Sequence, residues 1–341
     1  MGGRGTLMGR HITAAYVFDR GQMNLRDEDA PHIDQLNYSF ALVKDGEVSG
    51  DHWSSIAEYR AYIARHPHIL PVVSIGGWGA GGFSEAASTA EGRAKFADSA
   101  VRLMERHGFL GVDIDWEYPC CDEAGIAASP ADKQNFTLLL QALRMRLDAL
   151  SQKDGKPRLL AAAVGAAPEL VNNIECDAVG RVIDQLNLMT YDIQTQYVIS
   201  HATALYAPDA RYPKCADTAV RVYSEAGIPK EKMMVGCAFY ARLFRGRDEA
   251  WTLFGEAETA GYDTKAYKAL KAEEGWSERY DEAACASYAR NGAWFASYDT
   301  ARSIMAKGAY VREQGLQGVM CWEYGSDDRG ELLAAMHAGV N

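Results

Sequence analysis

Short, nearly unbroken apolar runs alternate along this chain with longer stretches in which apolar residues return every three or four positions. Eight runs read as strands: 12–18, 35–43, 69–75, 109–117, 158–166, 185–192, 233–241 and 316–323. Most are apolar at successive positions, the pattern of parallel strands covered on both faces. Between them, Phe96, Ala100, Leu103 and Met104 share one face of a helix. Phe136, Leu139, Leu140, Leu143, Leu147 and Leu150 do the same in a longer one, and residues 327–339 supply a last helix. Eight strands alternating with helices predict an α/β fold, a (β/α)8 TIM barrel in preference to an open doubly wound sheet.

One connection is too long for that plan. Nearly sixty residues separate the run 233–241 from a helix expected near Thr300, where a βα loop takes about 2–6. The stretch holds Trp251, Phe254, Tyr262, Tyr267, Trp276, Tyr280 and Tyr288, enough aromatic mass for a core of its own. The expected organisation is a barrel of residues 1–244 and 297–341. A small α+β insertion of residues 245–296 interrupts it between the seventh strand and the seventh helix, on the C-terminal rim where barrel sites lie.

Composition narrows the partners. Of 341 residues, 48% are hydrophobic and 24% charged, an ordinary globular balance that excludes disorder, collagen-like repeats and coiled coil. With 35 Lys and Arg against 46 Asp and Glu, the net charge of −11 argues against a binder of phosphate backbones. No run reaches the roughly 18–20 apolar residues of a membrane span, so neither nucleic acid nor membrane is expected as a partner. Seven cysteines, an odd number, show no zinc-site spacing; small buried thiols are expected, with no metal and no cofactor. Residues 1–9 are glycine-rich and carry no apolar segment, so they are not an intact signal peptide. With Met8 as the native start the protein would be cytoplasmic.

The chemistry concentrates in Gly111-Val112-Asp113-Ile114-Asp115-Trp116-Glu117-Tyr118-Pro119. Alternation along a strand sends Asp113, Asp115 and Glu117 to one face, into a barrel, and Ile114 and Trp116 to the other, toward the helices. Successive acids lie about 7 Å apart along the strand, too far to wrap a single Ca²⁺ or Mg²⁺. Crowded and desolvated carboxylates favour their protonated forms, and one of them then serves as a proton donor near neutral pH. Acid–base chemistry is expected.

The segment resembles the signature strand of glycoside hydrolase family 18, the chitinases and their relatives, whose pattern is DxxDxDxE. Ser74-Ile75-Gly76-Gly77-Trp78 is similar to the family's SxGG element, and Met189-Thr190-Tyr191-Asp192 to its MxYD element. Phe239-Tyr240-Ala241-Arg242 is similar to its FYGR segment, and Gly318-Val319-Met320-Cys321-Trp322-Glu323 to its eighth strand. Two departures stand out. Leu110 occupies the first acidic position, the one farthest from the rim, and Ala241 replaces a glycine.

The resemblance implies retaining hydrolysis of β-1,4-linked N-acetylglucosamine polymers or oligomers, with chitin or chitooligosaccharides as partners. It further implies that the sugar's own acetamido group is the nucleophile. Glu117 would be general acid and then base. Asp115 would orient the acetamido N–H, Asp113 would share a proton behind it, and Tyr191 would bind the acetamido oxygen. Tyr16 and Ser74 would balance charge beneath Asp113, and Trp322 would floor the catalytic subsite. Asp192, Trp78, Tyr118, Met189, Tyr240 and Arg242 would line the cleft. Two alternatives stand beside a chitinase: an endo-β-N-acetylglucosaminidase acting on N-glycans or peptidoglycan, and a non-catalytic chitin-binding lectin. The family's lectins typically lack the acid that Glu117 supplies here, which argues against the last. A monomer is expected, extracellular by the same resemblance.

Overall fold

Each apolar run becomes one stave of a closed parallel barrel. The computed structural model describes residues 10–341, so the candidate start at Met8 lies outside the described residues. The first half comprises β1 (Ile12–Phe18), β2 (Gln35–Lys44), β3 (Glu47–Ser49), α1 (Ile56–Arg65), β4 (Leu70–Gly76), α2 (Phe83–Ala87), α3 (Ala90–His107), β5 (Gly111–Asp115), α4 (Asp132–Asp154) and β6 (Leu159–Gly165). The chain continues through α5 (Cys176–Val182), β7 (Gln185–Met189), α6 (Ala216–Glu225) and β8 (Met233–Ala238). Around the barrel the order is β1-β14-β8-β7-β6-β5-β4-β2, and pairing of β2 with β1 closes the ring, where β14 is Gly318–Trp322. The short β3 folds back antiparallel on β2.

Between β8 and β14 the chain leaves the barrel. It forms β9 (Tyr240–Arg245), β10 (Asp263–Ala266), α7 (Tyr267–Ala272), β11 (Ser277–Asp281), β12 (Ala286–Asn291) and β13 (Trp294–Tyr298), then returns through α8 (Ala301–Gln314) and ends in α9 (Glu331–Val340). These five strands make an antiparallel sheet ordered β10-β9-β13-β12-β11. The sheet begins at Tyr240 and ends at Tyr298, outside both expected limits of 245 and 296. The single strand expected over 233–241 is in fact two. Phe239 still donates its N–H to the Trp322 carbonyl at 2.8 Å, while Tyr240 pairs with Ala266 of β10. An apolar run buried from end to end carries no mark of where it passes from one sheet to the other.

Two other strands end well before their apolar runs do, at the rim. β5 stops at Asp115 and β7 at Met189, so Glu117, Tyr191 and Asp192 stand on the loops beyond the strand ends. Asp192 turns into the left-handed region, φ 58°.

Alternation divides the core into two layers. Outward residues such as Val73, Ile114, Trp116, Leu186 and Leu188 join the helices in the larger layer. Ala14, Tyr16, Ala163, Met189, Tyr191, Met234, Ala238 and Met320 fill the barrel interior. The fit around Trp116 fixes the strand that carries the acids. Its ring stacks on Phe83 at 5.4 Å and 12° and meets Phe136 edge-on at 6.0 Å, so Asp115 and Glu117 on either side of it are turned inward. The helix that delivers this strand is well terminated: the Thr89 side chain accepts from the Gly92 N–H, and Gly108, at φ 81°, ends α3 and feeds β5. All seven cysteines are free thiols, with Cys176, Cys215, Cys237 and Cys321 buried. No helix among the described residues is long and apolar enough to cross a membrane.

Truncating the residue that plugs the outer layer tests this account. Trp116→Ala should lower the unfolding free energy by about 3–5 kcal/mol, read from urea titration, and Trp116→Phe should recover most of it. A Trp116→Ala loss near zero would show that the inward set of the acids does not depend on this contact.

Candidate active site

At the bottom of the acidic ladder, Asp113 is fully buried and surrounded by donors from three strands. Its Oδ2 accepts from the hydroxyls of Tyr16 (2.8 Å) and Ser74 (2.7 Å), and its Oδ1 from the Asn187 amide (3.0 Å). Burial nevertheless raises its pKa, against the opposing pull of these three bonds. Asn187 also donates to Tyr16 Oη at 2.8 Å and is itself held by Gln185 at 2.8 Å. Sequence reasoning named Tyr16 and Ser74 but missed Asn187. Its signal was a polar residue inside an apolar run, two positions before Met189 and therefore facing the same way.

One step up, Asp115 is buried with far less support. Its pKa is pushed well upward by burial first, then by the charges of Glu117 and Asp113. Its Oδ1 is buried and has no hydrogen-bond partner among the described residues. Glu117 stands above it, partly exposed at the mouth. Burial lifts its pKa to about 7, the charge of Asp192 adds to this, and a hydrogen bond with Tyr118 opposes it. The backbone of this ladder is pressed against the neighbouring strand. Gly77 donates to the Asp115 carbonyl at 2.9 Å, and a Cβ on Gly76, at φ 123°, would lie 2.0 Å from that oxygen. The two glycines after Ser74 are there because nothing larger fits.

Across the mouth, Tyr191 is buried, with its hydroxyl 3.8 Å from Met320 Sδ and its ring edge-on to Tyr240 at 6.1 Å. Asp192 accepts from Arg242 Nε at 2.5 Å, and Arg242 Nη1 donates to the Tyr262 carbonyl at 2.8 Å. Tyr240 and Arg242 both come from β9, so the insertion sheet supplies one side of the mouth. Trp322, at the end of β14, stacks on Phe40 at 5.3 Å and 22°, with Phe18 (5.9 Å) and Tyr16 (6.1 Å) at its edges. Phe40 and Phe18 were not singled out in the sequence. Trp78 is 63% exposed and meets Tyr118 edge-on at 6.4 Å. Met189 is packed into the apolar barrel interior with Tyr16 and Tyr191.

Leu110 lies just before β5, with its N–H on the Pro71 carbonyl and its carbonyl accepting from Leu159. It sits at the opposite end of the strand from Glu117, so the acid missing there is missing from the barrel's bottom and not from its mouth. Among the described residues, no group of three or more His, Cys, Asp or Glu is placed to hold a metal ion. The cleft thus offers a carboxyl that keeps its proton near neutral pH, an unsatisfied acceptor below it and an aromatic floor. That combination suits acid–base cleavage of a bond to a ring with a flat apolar face.

The model of glycosyl hydrolases family 18 matches residues 12–327. Chitinase A1 of Niallia circulans is 34% identical over 316 residues, covering 84% of this chain; the chain spans less than half of that longer protein, 45%. Chitinase 1 of Aphanocladium album is 31% identical over 351 residues, covering 92% of this chain and 81% of its own. Among solved structures, a glycoside hydrolase family 18 N-acetylglucosaminidase from Paenibacillus barengoltzii superposes with a TM-score of 0.93 at 38% identity, covering 96% of this chain and 99% of that one. With its closed barrel, its inward acidic strand and a family match over most of its length, this chain belongs to glycosyl hydrolases family 18 and is a glycoside hydrolase.

Proposed function

We propose that the protein is a chitinase that cleaves β-1,4-linked N-acetylglucosamine chains with retention, using the substrate's acetamido group as nucleophile. The observation that carries this reading is Asp115 Oδ1: a buried carboxylate oxygen without a partner, beside the proton donor. A buried acceptor left unsatisfied costs about 1–3 kcal/mol, and an acetamido N–H is the donor that this substrate would bring to it. Asp113 and Asp115 share β5, Glu117 follows two residues beyond its end, and Asp192, the acid across the mouth, is held by Arg242. The arrangement therefore favours a nucleophile supplied by the sugar over one supplied by a second carboxylate.

In the first step Glu117 gives its proton to the glycosidic oxygen. The C1–O bond breaks as the acetamido carbonyl oxygen bonds to C1, forming an oxazolinium ion. Asp115 holds the acetamido N–H, and the Tyr191 hydroxyl donates to the acetamido oxygen. Glu117, now a carboxylate, takes a proton from water as that water attacks C1 and the C1–acetamido oxygen bond opens. Two displacements at C1 return the β configuration. Trp322 covers the sugar's apolar face, and Trp78 and Tyr118 line the cleft beside it. The insertion forms the wall carrying Tyr240 and Arg242, which suits a linear chain. The N-acetylglucosaminidase from Paenibacillus barengoltzii, 38% identical over nearly the whole chain, favours a second reading in which single N-acetylglucosamine residues are released.

Glu117→Gln should fold and lose about 10²–10⁴-fold in kcat on chitin oligomers; hydrolysis near the wild-type rate by a verified pure variant would remove Glu117 from this role. The acid must be protonated to act, so wild-type kcat/KM should fall as pH rises through about 7. The same raised pKa has a signed effect on stability. The folded state holds a proton that the unfolded state releases at lower pH, so the contribution is full below the unfolded value and is lost as pH rises through about 7. Glu117→Gln should accordingly melt higher than wild type at pH 8 and show no such advantage at pH 4. Equal melting differences at both would mean that Glu117 is not buried at a cost.

The nucleophile is tested on the substrate. Chitosan deacetylated at the cleavage position should scarcely react, a thiazoline mimic of the oxazoline should inhibit strongly, and fresh product should be β by NMR before mutarotation. A fresh α product would end the substrate-assisted reading. A product profile from chitin oligomers run beside a high-mannose glycopeptide separates the candidates: cleavage of the glycopeptide core would favour an endo-β-N-acetylglucosaminidase, and single-residue release from short oligomers the second reading above.

A further inference from the structure

A charged pair buried outside the cleft has no part in the chemistry above. Lys307 of α8 and Asp299, just after β13, are both 0% exposed and lie 2.7 Å apart. Removing two charges from water is costly unless good geometry and further hydrogen bonds compensate, and here those bonds run toward the mouth. Lys307 Nζ also donates to Thr203 Oγ1 (2.6 Å) and to the Gly236 carbonyl (3.1 Å). Asp299 Oδ2 accepts the N–H of Ala238 at 2.9 Å, and its Oδ1 accepts the Ser303 hydroxyl at 2.7 Å. Thr203 shares its proton between Asp299 Oδ2 (2.9 Å) and the Thr190 carbonyl (3.2 Å). Thr190 in turn exchanges two bonds with Gly236, each of 2.8 Å: its hydroxyl donates to the carbonyl and accepts from the N–H.

The bonds end on two segments. Thr190 immediately precedes Tyr191 and Asp192. Ala238 closes β8 two residues before Tyr240. The tolerance there is narrow, since a Cβ on Gly236 would lie 2.8 Å from the Tyr191 ring. We infer that the Lys307–Asp299 pair, acting through Thr203, is a positioning device that sets Tyr191 and Tyr240 in register across the mouth, so that Thr203, Asp299 and Lys307 govern turnover without touching substrate. A purely apolar node of the same volume could fill the space, but it would not fix a carbonyl of β8, an amide of β8 and the carbonyl preceding Tyr191 relative to one another.

This inference rests on the proposed role of Tyr191, and the experiment keeps the two apart. Thr203→Val removes the hydroxyl and leaves the ion pair. Thr203→Ser restores the hydroxyl, and Tyr191→Phe is the reference. All are assayed on a chitin oligomer well below their melting temperatures. Thr203→Val should lower kcat by about 10- to 100-fold, the scale of a 1 Å misplacement at a reacting centre, with KM little changed. Thr203→Ser should stay near wild type. A kcat for Thr203→Val within about twofold of wild type, with Tyr191→Phe impaired, would overturn the inference and leave the reading of Tyr191 standing. So would a loss appearing only in KM, or a Thr203→Ser as poor as the valine. A Tyr191→Phe enzyme as active as wild type would instead overturn the role of Tyr191 itself. If Thr203→Val does not fold, Ser303→Ala gives the same readout: a kcat lower by about fivefold, the equivalent of one hydrogen bond, supports the device, and an unchanged kcat overturns it.

Discussion

Two carboxylates on one face of β5 and a third just beyond its end crowd the inside and the mouth of a closed barrel, and most of what surrounds them follows from the cost of keeping them there. A carboxylate removed from water needs donors or a proton. The protein supplies donors unevenly. Asp113 receives three, from three different strands. Asp115 above it has an oxygen with none, and Glu117 at the mouth has Tyr118. The supply is thus richest at the barrel's bottom, absent at one oxygen of Asp115 and limited to Tyr118 at the mouth. That uneven supply leaves an Asp115 oxygen for a ligand to satisfy, while burial, the first cause of its raised pKa, keeps the proton on Glu117 up to about pH 7.

The same constraint reaches outward. An acid can be aimed inward only if its neighbours in sequence are comfortable facing out, which is why Trp116 sits stacked on Phe83 between Asp115 and Glu117. The adjoining strand must come close enough for a backbone bond to Asp115, which is why Gly76 and Gly77 follow Ser74. Electrostatics at the centre, packing in the outer layer and steric relief in the next strand are three answers to one requirement.

This explains how much could be read from the order of residues. Alternation places each acid on its face without knowledge of the fold, and eight apolar runs with helices between them specify a barrel. The residues that escaped notice are those whose meaning depends on a partner far along the chain. Asn187 is an ordinary polar residue until closure brings β7 around to Asp113 and Tyr16. Phe40 and Phe18 are ordinary apolar residues until β14 arrives and sets Trp322 against both. Strand ends were misplaced for a related reason: apolar residues continue past the last ladder bond at Asp115 and Met189, because Trp116 and Tyr191 beyond them are buried around the site.

The division of 233–241 into β8 and β9 has a further implication. The second sheet looks like an accessory that could be lifted out or exchanged between relatives, since it enters and leaves the barrel over one short stretch. Its first strand, however, carries Tyr240 and Arg242, and Arg242 grips Asp192 at 2.5 Å. A transplant cut at the barrel's edge would carry half of the mouth's charge pairing to its new host and leave Asp192 unanswered in the old one. The seam at which this fold can be recombined therefore lies beyond Arg245, inside the accessory, and chimeras joined there inherit the recipient's own cleft.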